Sequence, residues 1–299
     1  MTTIVMTGGT SGFGALAVQH LTRPAGTRLL LGARSPGPET FPLDLTRLDS
    51  VRAFAAEVRS QLGDSRIDVL LLNAGGIRPD DTGRTPDGYE TTFAVNHLAH
   101  YLLLRLLLPA IADKARIILT TSGTHDPATG ASLAPPRHAD ADLLAHPDRD
   151  PHRHPNAVKA GQHAYTAAKL CTVLTVRALQ ADPDLEARHL TAIAYDPGQV
   201  FGTGLARDLA LPLQLAWRLF GGPLGAPIRR VSPVLNTRAA AAAALTDLAL
   251  GTATPPPGHT YAALRHGELT WIDPSALARN DELAQALWTD SARLVGLTA

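Results

Sequence analysis

The sequence predicts an α/β fold, a doubly wound parallel sheet with helices on both faces. Three observations lead there. Short β-branched or apolar runs alternate along the chain with longer segments whose apolar residues recur at helical spacing. Several short runs are apolar throughout, as strands buried on both faces are, and glycine or polar residues follow them at once. The first run is joined to the first helical segment by a glycine-rich turn, Thr7 to Gly14, reading T-G-G-T-S-G-F-G.

That turn follows the strand signal Thr3-Ile4-Val5 and precedes Phe13, Leu16, Ala17 and Leu21 at helical spacing. A second run, Arg28 to Gly32, closes a βαβ unit of about 30 residues, the length such units need. A diphosphate that approaches the backbone this closely requires residues without a Cβ. Unpaired N–H groups and the positive end of the helix dipole then face the anion. Gly8, Gly12 and Gly14 meet those needs. A glycine-rich octapeptide alone would equally make an ordinary tight turn, and its place between strand and helix is what favours the phosphate reading.

About 20 residues past such a turn the chain normally meets the adenosine ribose. Here stand Ala33 and Arg34, with no acidic side chain to claim a 2′-hydroxyl. The guanidinium of Arg34 can pair with a 2′-phosphate, so NADP(H) is the expected cofactor; a solvated arginine in a surface loop is the alternative. Asp44-Leu45 closes a short extended piece, and Thr46 to Leu62 carries Leu48, Val51, Phe54, Ala55, Val58 and Leu62 on one helical face before Gly63. Val69 to Leu72 reads as a buried strand that ends in Asn73-Ala74-Gly75-Gly76. Asp87 to Ile111 reads as a turn followed by a long helix, with Asn96 set between apolar neighbours Val95 and Leu98.

Arg116 to Thr120 is another strand and delivers Thr121-Ser122 at its carboxyl end. Helix Tyr165 to Leu179 stacks Tyr165 over Lys169 at i and i+4, a spacing that a plain amphipathic surface also produces. Leu190 to Ala194 supplies a strand followed by Asp196-Pro197-Gly198. Thr237 to Leu250 is an alanine-rich helix, Thr260 to Leu264 a last strand, and Asp273 to Leu297 a helical tail with Leu283, Leu287, Trp288 and Leu294 inward.

The 299 residues suit one domain, 1–299, near the upper size for a single core. The 27 basic and 27 acidic residues cancel, so nothing electrostatic favours nucleic acid or an anionic membrane. A single cysteine, Cys171, excludes an internal disulfide. Met1 leads at once into strand sequence, and the expected location is cytoplasmic. The longest apolar stretch, Tyr101 to Ile111, is broken by Arg105 and Pro109 and falls short of the ~20 residues of a membrane span.

Together these motifs resemble the short-chain dehydrogenase/reductase family from Thr7 to about Leu205. T-G-x-x-x-G-x-G falls on Thr7, Gly8, Gly12 and Gly14, N-A-G on Asn73, Ala74 and Gly75, and the family tetrad on Asn96, Ser122, Tyr165 and Lys169. The stretches D-G-Y-E-T-T-F-A-V-N-H-L-A-H-Y-L-L-L from Asp87, S-G-T-H-D from Ser122 and Y-T-A-A-K-L-C from Tyr165 are similar to the retinol dehydrogenase and protochlorophyllide-reductase-like branch. Ala168 replaces a frequent serine and Leu72 the first asparagine of N-N-A-G; neither position carries chemistry. The resemblance implies a Rossmann-type sheet and an NADP(H)-dependent oxidoreductase acting on a ketone, aldehyde or secondary alcohol of an apolar small molecule. It implies a cofactor held by Thr7, Gly8, Thr10, Ser11, Gly12, Phe13, Gly14, Arg34, Asp44, Leu45, Asn73, Ala74, Gly75, Tyr165, Lys169, Pro197, Gly198, Val200 and Thr203. It also implies a homo-oligomer, against which the long insertion and tail count.

In that reading Tyr165 is the proton donor. A free phenol has a pKa of about 10, and the adjacent Lys169 supplies the charge that lets it act near neutrality. Ser122 holds the carbonyl oxygen, and Asn96 anchors a water leading from Lys169 to solvent. Two other readings stay open: reduction of a conjugated C=C bond, and a non-catalytic dinucleotide-sensing protein on the same fold. The second has no need of Tyr165, Lys169 and Ser122 together.

Between Ser122 and Tyr165 lie 42 residues, an insertion at about 123–164 with six histidines and six prolines. It reads as a lid or wall with little regular structure beyond a short helix near Ala139 to Ala145. His125, His138, His146, His152, His154 and His163 lack a ligand spacing, so no metal is expected. Cys171 reads as a packed helix residue. The segment at about 204–234, with Trp217 and Phe220, reads either as a second covering segment, which would imply an apolar substrate, or as a helix packed on the core.

Overall fold

The computed structural model describes residues 1–35, 37, 39–202 and 232–298. The strands are β1 (Thr2–Thr7), β2 (Thr27–Ala33), β3 (Thr40–Pro42), β4 (Ile67–Leu72), β5 (Ile111–Thr120), β6 (Thr191–Asp196), β7 (Gln199–Val200), β8 (Leu235–Asn236), β9 (Tyr261–Arg265) and β10 (Glu268–Trp271). Eight of them form one sheet in the order β10-β9-β6-β5-β4-β1-β2-β3, and β7 pairs with β8 apart from it. Every pairing in the large sheet is parallel except that of β10 with β9.

Alternation sorts the strand residues between two cores. Val5, Leu70, Leu72, Ile117 and Leu119 face α2 (Leu48–Leu62), α4 (Ala99–Leu107), α6 (Ala157–Gln180) and α9 (Asp281–Leu294). Ile4, Met6, Val69, Leu71, Ile118 and Ile193 face α1 (Gly12–Leu21) and α8 (Arg238–Leu250). Both faces are apolar because both are covered, which is why these strands read as continuous apolar runs. The chain reverses its direction of winding where β1 lies between β2 and β4, and in such sheets ligands sit outside the strand ends at that reversal. The register brings Thr7 beside Gly32 and Leu72, and Thr120 beside Tyr195, so the carboxyl ends form one rim.

Two helix starts are among the boundaries that differ from those the sequence suggests. The long helix begins with α3 (Thr91–Phe93), three residues past Gly88 of the expected turn, because the Glu90 side chain accepts from the backbone N–H groups of Thr92 and Phe93 and caps it there. It passes through a π-helical turn, Ala94–Leu98, before α4. Thr91–Ala110 is long and apolar enough for a span, more than Tyr101 to Ile111 alone suggests, yet 67% of its most apolar window is buried inside the protein. Its apolar residues are those of a core helix. Helix α6 starts at Ala157, eight residues before Tyr165, where the Asn156 side chain caps the N–H of Lys159. The histidine-rich insertion is therefore shorter than its sequence span. Before α6 it holds α5 (Ala141–Ala145), close to the expected place, and short 3-10 turns. Strand β10, which no sequence signal marks, adds an edge. Most of the segment 204–234, with Trp217 and Phe220, lies outside the described residues.

Candidate active site

The end of β1 sets the floor of an open cleft. At Gly8, with φ +71°, a Cβ would lie 2.6 Å from the backbone nitrogen of Ala74; at Gly14 it would lie 2.0 Å from the Gly8 carbonyl oxygen. No side chain fits at either, so β1, α1 and the end of β4 close up backbone to backbone. Ser11 is the N-cap of α1, but its hydroxyl accepts none of the first-turn N–H groups, and no acidic residue stands in that turn. Those donors face the cleft beside Thr10, Ser11, Gly12 and Phe13. A helix start of this kind is suited to an anion.

Thr7 ties the rim together. Its hydroxyl accepts from the backbone N–H groups of Asn73 (3.0 Å) and Ala74 (3.1 Å) and lies 3.0 Å from His100 Nε2. Burial and the nearby Lys169 charge lower the His100 pKa to about 4, so the ring is neutral and takes the Thr7 proton at Nε2. Asn73 donates to the Gly8 carbonyl at 3.0 Å and accepts from the Thr120 hydroxyl at 2.8 Å. Three strand ends are thus joined by the side chains of Thr7, Asn73 and Thr120.

Farther along the cleft, α6 presents Tyr165 and Lys169, both buried. The Lys169 ammonium donates to the Thr120 carbonyl at 2.9 Å and lies 5.8 Å from the Tyr165 ring centre. Burial lowers its pKa to about 8, against the pull of the Asp196 carboxylate. Burial also raises the Tyr165 pKa to about 12; a hydrogen bond with Ser122 acts the other way and Asp196 adds to the rise. Ser122 accepts from the Thr124 N–H (3.3 Å) and hydroxyl (3.1 Å), and its own proton is directed toward Tyr165. Both protons of the Asn96 amide are used: Nδ2 donates to the carbonyls of Gly76 and Thr92, each at 2.8 Å, and Oδ1 accepts from the Gly76 N–H at 3.0 Å. A Cβ at Gly75 would lie 2.7 Å from Asn96 Oδ1, so that loop position must stay bare for the helix to approach.

All the catalytic and cofactor-binding residues expected from the sequence line this one cleft, Arg34, Asp44, Leu45, Pro197, Gly198 and Val200 included, save Thr203, which lies outside the described residues. Arg34 is exposed at the far end, beside Ala33. Sequence reasoning misses Thr46, Arg78, Thr91, Thr92, Val95 and Thr120, which line it too. Thr120 could have been found, since it ends a buried strand. Thr91, Thr92 and Val95 lie within the stretch from Asp87 that resembles the family, but nothing in it marks them as cleft residues, and Thr46 and Arg78 lie in loops with no motif.

The insertion forms an ionic wall. Arg153 makes a two-pronged contact with Asp81, at 2.8 and 2.7 Å, and reaches Asp148 at 3.2 Å; Asp150 meets Arg137 and His138. Among the described residues no group of three or more His, Cys, Asp or Glu is arranged to hold a metal ion. Cys171 is wholly buried, and burial pushes its thiol far above the ordinary range, as for a packing residue.

Residues 2–131 match the short chain dehydrogenase family. Retinol dehydrogenase 13 of Homo sapiens is 30% identical over 321 residues, covering 99% of this chain and 85% of that protein. A protein of Streptomyces sp. (strain C5) assigned as a daunorubicin C-13 ketoreductase is 32% identical over 314 residues, covering 99% and 93%. Among solved structures, an uncharacterized protein from Mycobacterium paratuberculosis has a TM-score of 0.68 at 25% identity, covering 100% of this chain and 94% of that one.

Proposed function

The chain belongs to the short-chain dehydrogenase family, whose members are oxidoreductases using a nicotinamide cofactor, and from that premise we propose that it is an NADP(H)-dependent enzyme interconverting a carbonyl and an alcohol on an apolar small molecule. The observation that carries the reading is the convergence of Tyr165, Lys169 and Ser122 at one end of a cleft whose other end holds an uncapped helix start and Arg34. A dinucleotide-sensing protein would have no use for the first group. The relatives named for retinol and for a ketoreductase activity point to alcohol and carbonyl groups on apolar frameworks.

The residues present suit the dinucleotide. Gly8 and Gly14 leave backbone bare where a diphosphate would lie, the first turn of α1 offers its N–H groups, and Arg34 offers a fork to a 2′-phosphate. When bound, the cofactor supplies or accepts the hydride. Tyr165 holds a proton at its hydroxyl and gives it to the oxygen of the carbonyl being reduced. Ser122 donates its hydroxyl proton to that oxygen when a carbonyl lies between it and Tyr165, and orients it. Lys169, fixed by the Thr120 carbonyl, keeps a positive charge beside Tyr165 that eases departure of the proton. Thr7 and Asn73 hold the strand ends at fixed separation, so the two ends of the cleft keep their spacing.

Titration of NADPH and NADH tests the cofactor assignment. One charge-assisted contact at about 1.5–3 kcal/mol corresponds to roughly a tenfold to hundredfold preference for the phosphorylated form. Ala33→Asp with Arg34→Ser should reverse it, by adding repulsion as well as removing attraction. Equal wild-type affinities would remove Arg34 from this role. Oxidation of NADPH with apolar aldehydes and ketones, against enones with isolated products, tests the carbonyl assignment.

A further inference from the structure

Behind the Pro197-Gly198 turn lies a charged pair that the tetrad does not include. Asp196, the last residue of β6, is completely buried. Its Oδ1 accepts from the Gly198 N–H at 2.9 Å. Its Oδ2 meets Arg265 Nη2 at 2.9 Å and accepts from the Tyr261 hydroxyl at 3.1 Å. Tyr261 and Arg265 are the two ends of β9, four residues apart and so on one face of the strand.

The same tyrosine reaches toward Ser122. The His125 ring packs edge-on against Tyr261, with centroids 5.2 Å apart. His125 Nε2 accepts from the Ser275 N–H at 3.3 Å, so Nδ1 carries the ring proton and donates it to the Ser122 carbonyl at 2.8 Å. Gly123 closes the gap, since a Cβ there would lie 3.0 Å from Asp196 Oδ2. A continuous set of contacts therefore runs from the Gly198 N–H through Asp196, Tyr261 and His125 to the backbone of Ser122.

We propose that Asp196, clamped by Arg265 and Tyr261, is a positioning residue that locks the Pro197-Gly198 turn and the Ser122 main chain into one frame, so that the two sides of the reacting centre keep a fixed distance. The inference rests on the roles given above to Ser122 and the turn. A buried ion pair contributes little net stability, and an apolar pair would fill the space without desolvating two charges. Only the carboxylate, though, can accept from Gly198, Tyr261 and Arg265 together. Its charge also reaches the site. The groups facing it are Arg265, Tyr261, Tyr165, Lys169, His125 and Tyr195, and it disfavours the Tyr165 phenolate while favouring the Lys169 ammonium.

The test uses the full chain with NADPH and a carbonyl substrate from the screen above. Tyr261→Phe and Arg265→Met should each lower kcat by about tenfold to hundredfold, as small displacements at a reacting centre do, with a smaller change in the NADPH dissociation constant. Arg265→Lys should recover most of the loss. In Asp196→Asn combined with Arg265→Met, both charges go while an amide oxygen still faces Gly198. The pH midpoint of alcohol oxidation should then move to lower pH, a change that loss of folded protein cannot produce. Folded variants with wild-type kcat and an unmoved midpoint would overturn the proposal, provided Tyr165→Phe is inactive in the same assay. Should the charge variants fail to fold, Tyr261→Phe, which removes one hydroxyl, decides alone. If the wild type turns over no substrate, the underlying functional reading fails instead.

Discussion

Lys169 Nζ lies 2.9 Å from the carbonyl oxygen of Thr120 and 5.8 Å from the ring centre of Tyr165. The ammonium is thereby fixed between the end of a central strand and the proposed acid. Replacing it with alanine removes the charge beside the phenol and leaves a buried carbonyl without its donor. The expected outcome for Lys169→Ala is a kcat lower by about 10²–10⁴-fold and weaker NADPH binding, read by steady-state kinetics and fluorescence titration. An unchanged dissociation constant would remove the lysine from cofactor binding.

Thr7 is expected to matter for stability more than for affinity. Its buried hydroxyl serves two backbone N–H groups and His100. Thr7→Val keeps the shape and orphans those donors, at about 1–3 kcal/mol each. Thr7→Ser should recover most of the loss in urea denaturation. Equal stability of all three proteins would show that the strand ends do not depend on this hydroxyl.

Glu90 gives the fold a pH dependence of known sign. Burial pushes its carboxyl up from 4.5 to about 7, in spite of the N–H groups of Thr92 and Phe93 that favour the anion. Between those values the folded chain keeps a proton that the unfolded chain has released. The stability this provides is fully present below pH 4.5 and lost as pH rises through 7. Each tenfold difference in proton affinity between the folded and unfolded chain is worth about 1.4 kcal/mol. The stability of wild type minus that of Glu90→Gln should therefore fall between pH 5 and pH 8. The buried histidines act in the opposite sense below 6.5 but cancel in this difference. A constant difference would mean that Glu90 is ionised throughout.

Much of the site is legible in the sequence because its chemistry is local. The glycine turn lies on eight consecutive residues, and Tyr165 and Lys169 stand one helical turn apart, so periodicity alone stacks them. The strands are legible because double burial leaves runs such as Val69 to Leu72 wholly apolar. Contacts between distant segments are not legible. Nothing near Asp196 announces Arg265, 69 positions on, and nothing near Thr7 announces Asn73. The start of the long helix is hidden for a related reason. Asp87-Gly88 is a familiar turn signal, whereas a buried glutamate as cap depends on what covers it.

Tyr165→Phe tests the central claim most directly. The ring stays and only the hydroxyl goes, so the buried packing of α6 is kept. With NADPH and a competent carbonyl substrate, turnover should be lower by about 10²–10⁴-fold and the NADPH dissociation constant within about threefold of wild type. Near wild-type turnover in this variant would contradict the assignment, since the proton would then come from another group.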